Sequence, residues 1–156
     1  MVKNIDITDP LNINRTRNIR NTNKRMYNCG GYALGTYSWY CPQPDDDYDD
    51  SYAFDTMDEA IDITLDVVDH MCYEFEGKIR VIKTLNELNT SVEYAVAFRI
   101  SSRNDFHYVK KADNGHWYHK RGGMLDINQM TEYEVFNTRW CGGFYDGPIV
   151  LLAVKK

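Results

Sequence analysis

The chain has 156 residues, of which 43% are hydrophobic and 26% charged, a composition typical of one globular domain, 1–156, that buries a core without metal or disulfide staples. Its net charge of −5 argues against a general nucleic-acid partner, which needs cations to neutralise phosphate. No apolar run is long enough to span a membrane, and Asp6 and Asp9 stand where a secretion signal would be apolar, so we expect no membrane partner and a cytoplasmic location.

The first predicted elements are an irregular arm and a short helix. Residues 1–25 lack an apolar run, carry a local cluster of basic side chains and form the arm. Residues 28–39 predict a helix that begins after Asn28, a residue type favoured as an N-cap. Three glycines in this segment indicate close approach of other backbone or of a ligand. The acidic residues 45–51 predict a solvated loop.

A longer helix is predicted over residues 56–75. Thr56 and Glu59 have the spacing of a capping box. Apolar residues then recur every three or four positions, which predicts one buried stripe. Residues 84–89 repeat the capping pattern with Thr84 and Glu87 and predict a short turn. The predicted stripe consists of Met57, Ala60, Ile61, Leu65, Val68, Met71, Cys72 and Phe75.

From residue 92 onward the hydrophobic period changes to two, which predicts strands. Residues 113–115 (DNG) are a strong hairpin-turn signal between two of them. The order of elements predicts an α+β fold, with N-terminal helices packed on an antiparallel β-meander. The predicted strands cover residues 92–100, 105–111, 116–121 and 148–154, and 131–137 form a further short strand.

Cys29 is the candidate nucleophile because it follows Asn28 directly and so lies in the first turn of the predicted helix. Unsatisfied N–H groups and the helix dipole favour a thiolate at this position and lower its pKa. The N–H of Cys29 is placed to hold an oxyanion during acyl transfer. Asn28 either caps the helix or contributes to this oxyanion site.

The other three cysteines, Cys41, Cys72 and Cys141, are irregularly spaced, and the chain has no CxxC pair. Free thiols are therefore expected, and the spacing predicts no metal site. No cofactor is expected either.

His107 is the candidate base, since a strand holds its imidazole on a rigid element, and such a base needs a third polar group to orient it. His119, twelve residues later across the hairpin, is the first candidate for that group. Asp126 and Asn128 are the alternatives.

The hairpin register decides which residue faces His107. A loop of residues 112–114 places His119 directly opposite His107. A two-residue turn at 114–115 places Gly122 there instead. The sequence leaves both registers open.

These segments resemble a known superfamily. Residues 28–34 (NCGGYAL) resemble the nucleophile helix of papain-like cysteine peptidases, especially the NlpC-type cell-wall endopeptidases. The strand bearing His107, the glycine turn and His119 follow in the order of that group. The blocks DFHY and GHWYHKRG are similar to ones in uncharacterised bacterial and phage proteins of the superfamily. The resemblance implies a papain-like fold, no cofactor and thiolate attack on an amide.

The sequence thus predicts a cysteine hydrolase acting on an amide or peptide bond of a peptide or protein substrate. Cys29 attacks, His107 transfers the proton, and His119 or Asp126 orients His107. Two alternatives remain: a non-catalytic binding or inhibitor protein, for example phage-encoded, with an acidic docking surface, and a protein-modifying effector such as a deamidase. The predicted substrate groove contains Tyr32, Trp39 and Trp117.

Overall fold

The computed structural model describes residues 26–42 and 52–156. The predicted arm 1–25 and the acidic loop 45–51 lie outside the described residues. Within the described ranges, no helix is long and apolar enough to cross a membrane. The elements are α1 (Cys29–Leu34), α2 (Met57–Glu74), β1 (Ile79–Ile82), a 3-10 turn (Leu85–Glu87), β2 (Glu93–Ser101), β3 (Asp105–Lys111), β4 (Trp117–Lys120), β5 (Ile127–Met130), α3 (Glu132–Asn137) and β6 (Val150–Lys155).

One antiparallel sheet of six strands, in the order β1-β6-β2-β3-β4-β5, organises the fold. Every residue of β2 is buried, because the sheet is covered on both faces. One face packs on α1 and α2 through side chains such as Phe98 and Tyr108. The opposite face packs on α3 and the segment around Trp140. The predicted α+β class is therefore confirmed.

Several local predictions are confirmed, and the strand predicted for residues 131–137 is wrong. β3 has the predicted bounds, and Thr84 and Glu87 form the predicted capping box of the 3-10 turn. Residues 131–137, predicted as a strand, contain α3. The reason is a second capping box, in which Thr131 Oγ1 accepts a hydrogen bond from the Glu134 N–H at 3.1 Å. The short strands β1 and β5 were not predicted.

The buried face of α2 is rotated from the predicted stripe. Thr56 caps the helix as predicted, by accepting from the Glu59 N–H at 3.2 Å. The polar Thr64 lies in the middle of the buried face, so a search for apolar periodicity alone misplaced that face. The buried residues are Ala60, Thr64, Val67, Val68 and Met71, whereas Met57, Ile61 and Leu65 are exposed.

The β3–β4 hairpin has neither of the two predicted registers. Lys110 pairs with Tyr118, and the Ala112 N–H donates to the His116 carbonyl at 2.8 Å. The loop is therefore residues 113–115, and Gly115 adopts a φ of 86° to close it. If the same pairing continues along the two strands, Val109 faces His119. His107 is two residues from Val109 on the same face of the sheet, so His107 and His119 are diagonal neighbours. Diagonal neighbours remain within reach of ring side chains.

Candidate active site

Asn28 fixes the start of α1 and the segment that returns over it. Its Oδ1 accepts hydrogen bonds from the Gly31 N–H at 3.0 Å and the Tyr40 N–H at 3.1 Å. Its Nδ2 donates to the Tyr40 carbonyl at 2.7 Å. The predicted capping role of Asn28 is thus confirmed, and Cys29 is the first residue of the helix.

The two glycines after Cys29 make room for the protein's own chain. A Cβ on Gly31 would lie 1.8 Å from the Ser38 carbonyl oxygen, and one on Gly30 would lie 3.2 Å from the Tyr40 carbonyl oxygen. The returning segment 38–40 therefore packs directly on the first turn of α1. Of the two predicted reasons for the glycines, close approach of backbone is the one that the structure shows.

Two buried lysines on the sheet hold α1 in place. Lys110 Nζ donates to the Tyr32 carbonyl at 3.3 Å, and Lys120 Nζ donates to the Tyr27 carbonyl at 2.6 Å. Buried ammonium groups are costly unless hydrogen-bonded, and here they bind carbonyls on either side of Cys29. This role of the lysines was not predicted from the sequence. The available signal was a lysine at a strand position whose neighbours on the same face are aromatic.

The two histidines form a buried pair. His107 Nε2 lies 2.8 Å from His119 Nδ1, and the rings meet edge to face with an interplanar angle of 87°. The side chains of His107 and His119 are only 1% and 7% exposed. The His107 ring also stacks on Tyr145, with centroids 4.8 Å apart. The other ring nitrogen of His107, Nδ1, takes no part in the contact with His119.

A cavity of about 540 Å³ brings the predicted nucleophile and base together. Cys29 contributes from the tip of α1 and His107 from β3. Within residues 26–42 and 52–156, no hydrogen bond joins Cys29 Sγ to the His107 ring. In enzymes without bound substrate, hydrogen bonds between catalytic groups are often long or poorly aligned and tighten when substrate binds. Other residues that line the cavity are Trp39, Cys41, Asp105, Arg121, Cys141 and Tyr145.

The remaining predicted site residues are divided between cavity, core and surface. Trp39 lines the cavity and is 56% exposed, which places it at the mouth. Tyr32 and Trp117 are fully buried in core clusters and do not line this cavity, so their assignment to the groove is corrected. Asp126 is exposed, and the structure does not bring it to the cavity. Of the predicted candidates for the third group, His119 is the one that contacts the His107 ring.

Burial determines the protonation of the site. Desolvation raises the pKa of the Cys29 thiol to about 12, and the charge of Asp105 adds to the rise. Backbone N–H groups of Tyr108 and Gly30 oppose it without outweighing it. The pKa reduction expected from the helix terminus is thus not seen in this conformation, because the thiol is 4% exposed.

The imidazoles are shifted in the opposite direction. Burial lowers the pKa of His107 well below its usual value, with further lowering by His119 and Arg121. Burial likewise lowers the pKa of His119 to about 4, and Arg121 adds to the shift. At neutral pH the free protein therefore holds a neutral Cys29 thiol and a neutral His107 imidazole in the cavity wall, and the His119 imidazole in contact with His107 is also neutral.

The cavity residues that were not predicted as site residues include Asp105, Cys141 and Tyr145. The Tyr145 hydroxyl donates to Asp105 Oδ2 at 3.1 Å, which ties the ring that stacks on His107 to the start of β3. Cys141 belongs to a tight turn closed by pairing of Trp140 with Tyr145. The glycine pair after Cys141 was the available sequence signal for this turn.

Comparison with known proteins found no matching family model, curated protein or solved structure.

Proposed function

We propose that the chain is a papain-like cysteine hydrolase, most similar to the NlpC type, that acts on an amide or peptide bond. One observation carries the proposal. Cys29 at a helix tip and His107 on a neighbouring strand line one open cavity, and His119 holds the ring of His107. Nucleophile, base and orienting group are the parts that acyl transfer through a thiol requires.

The histidine pair explains how His107 acts as a base. When His107 Nε2–H donates to His119 Nδ1, the lone pair of His107 lies on Nδ1. That nitrogen is the one available to take the Cys29 proton. His119 is therefore a positioning residue, which selects the tautomer and fixes the ring plane.

The proposed reaction begins from the neutral pair. Cys29 Sγ attacks the carbonyl carbon as its proton moves to His107, and the carbonyl oxygen becomes an oxyanion near the Cys29 N–H. His107 then gives the proton to the leaving amine, and the C–N bond breaks to leave a thioester. Water, deprotonated by His107, attacks the thioester and releases the acid and the thiol.

Neutral resting groups suit this sequence of steps. A lone thiolate or a lone imidazolium is costly in a buried site, but the two formed together carry no net charge. Transfer of the proton from Cys29 to His107 is thus favoured when a substrate carbonyl is present for the thiolate to attack. Trp39 at the cavity mouth supplies an aromatic surface for a peptide substrate. A deamidase would use the same steps, with ammonia as the leaving amine.

Alkylation by iodoacetamide near neutral pH tests the nucleophile, with the labelled sites mapped by peptide mass spectrometry. We expect Cys29 to be labelled first despite its burial, because His107 accepts its proton in the cavity. Cys72 is the internal control, since it lies on α2 and does not line the cavity. Labelling of Cys29 no faster than that of Cys41, Cys72 and Cys141 would show that the nucleophile is misassigned.

The exposed face of α2 favours a second candidate, a binding protein that retains the fold. Asp62, Asp66 and Asp69 are exposed there, and exposed Ile61 and Leu65 lie among them. Such a mixed surface is typical of protein contacts. A Cys29→Ala variant separates the two candidates. Full biological activity of that variant favours binding, and loss of activity with an unchanged fold favours hydrolysis.

A further inference from the structure

A second set of groups meets at His107. His107, His119 and Cys141 each offer one metal-binding atom, and these three atoms lie within 4.8 Å of one another. β3 and β4 supply the imidazoles, and the turn after Trp140 supplies the thiol. No sequence spacing reveals this group, because its members come from three separate parts of the fold.

The turn holds Cys141 in an unusual conformation. Cys141 has a φ of 54°, in the left-handed region that residues other than glycine rarely adopt. Gly142 and Gly143 follow with φ values of 70° and 96°. Hydrogen bonds between Trp140 and Tyr145 close the turn around them. Backbone held in such a region is found preferentially at functional sites, and here it presents the sulfur to the two histidines.

We infer that His107, His119 and Cys141 form a binding site for a divalent zinc ion. His107 Nε2, His119 Nδ1 and Cys141 Sγ are the ligands, and the fourth position is open. Zinc is commonly bound by three such imidazole and thiolate ligands, with nitrogen at about 2.0–2.1 Å and sulfur at about 2.3 Å. With those bond lengths the ligand atoms of a tetrahedral site lie roughly 3.3–3.6 Å apart, so binding draws the three atoms closer than their present limit of 4.8 Å.

The surroundings provide a path for the ion. His107 and Cys141 line the cavity of about 540 Å³, and His119 and Cys141 line a neighbouring cavity of about 320 Å³. Cys141 thus lines both cavities, and each cavity is also lined by one of the two histidine ligands. Binding releases the Cys141 proton to solvent, and the His107 proton moves from Nε2 to Nδ1, so that each ligand atom has a free lone pair.

Zinc binding and base catalysis exclude each other at His107. With Nε2 bound to the ion, Nδ1 carries the proton and has no lone pair to accept one from Cys29. An occupied site would therefore hold the hydrolase inactive, a consequence that rests on the proposed function. Binding itself requires only the three ligands.

Titration with Co²⁺ tests the site, because a thiolate–cobalt bond gives a charge-transfer absorption band in the near ultraviolet. We expect the purified full chain to bind one Co²⁺ with this band, and Zn²⁺ to displace it. Cys141→Ser should abolish the band and weaken binding at least about tenfold. Cys29→Ser and Cys72→Ser are the matched controls and should retain both.

The result that would overturn the inference is a spectrum without a thiolate band, or a band that survives Cys141→Ser and disappears in Cys29→Ser. Circular dichroism of each variant shows that the fold is kept, and His119→Ala provides a second ligand deletion with the same expected loss of affinity. Because no step of this experiment measures hydrolysis, failure of the metal site and failure of the hydrolase assignment are distinguishable.

Discussion

The pairing of two neutral imidazoles is the most consequential contact at the scale of single residues. A ring that donates through one nitrogen must accept through the other, so the 2.8 Å contact between His107 Nε2 and His119 Nδ1 couples their tautomers. His119 thereby controls which nitrogen of His107 is basic. The sequence named both histidines and Cys29, because their residue types and order carry the signal. It did not reveal Asp105, Tyr145 or Cys141, whose roles depend on contacts between distant segments.

The coupling of tautomers predicts a difference between two substitutions of His119. His119→Ala should lower the rate of Cys29 alkylation by about tenfold or more, because His107 loses its acceptor and its fixed ring plane. His119→Asn should restore most of that rate, since an amide oxygen can accept in place of Nδ1. Rates are measured by mass spectrometry of the labelled peptide. Equal rates in the two variants would show that His119 only fills space.

At the scale of elements, the position of α1 determines whether Cys29 reaches the cavity. The helix has only six residues and cannot be stable alone, so its neighbours must hold it. Three sets of contacts hold α1: those of Asn28, of the glycines after Cys29 and of the two buried lysines. The sequence predicted the cap and the glycines, because these have local signatures. It missed the lysines, because their partners are carbonyl groups more than 75 residues away in the chain.

The packing of α1 predicts that Gly31→Ala is strongly destabilising. A Cβ at this position would lie 1.8 Å from the Ser38 carbonyl oxygen, and backbone cannot move aside cheaply. We expect a loss of about 2 kcal/mol or more in the free energy of unfolding, measured in urea. Gly123→Ala is the matched control, since its Cβ would meet only the Trp39 ring at 3.6 Å. Similar losses in both variants would contradict the close packing.

For the whole molecule, the α+β class and four of the six strands, β2, β3, β4 and β6, followed from hydrophobic periodicity. Periodicity failed where a polar residue replaced an apolar one in a buried face, as at Thr64, and where a helix was too short to show a period, as in α3. The hairpin register failed for a different reason. Turn composition identified residues 113–115, but a loop that is displaced by one residue, or that differs by one residue in length, changes every cross-strand pair.

The buried histidines predict how the stability of the whole molecule depends on pH. The pKa values of His107 and His119 are lowered in the folded state, whereas in the unfolded chain these histidines titrate at about 6.5. Below that pH the unfolded state binds more protons, so stability is lost as the pH falls from about 6.5 toward the folded-state values. The expected slope is at most about 1.4 kcal/mol per pH unit for each histidine.

Urea unfolding at pH 7 and pH 5 measures this slope. Carboxylates lose their contribution to stability only below this pH range. Glu93 is an example, because its pKa is lowered to about 2 beside Arg80. The double variant His107→Gln, His119→Gln should have a much smaller slope than the native chain. His116→Gln, at an exposed position, should leave the slope unchanged. A native chain equally stable at both pH values would show that the histidines are not buried neutral.

The most direct measurement is the rate of Cys29 alkylation in His107→Gln relative to the native chain, at neutral pH and with Cys72 labelling as the internal reference. If an imidazole on β3 takes the proton of a thiol at the tip of α1, the variant rate falls by about a hundredfold or more, while Cys72 is unaffected. An unchanged Cys29 rate in a variant that remains folded would contradict the pairing of Cys29 with His107.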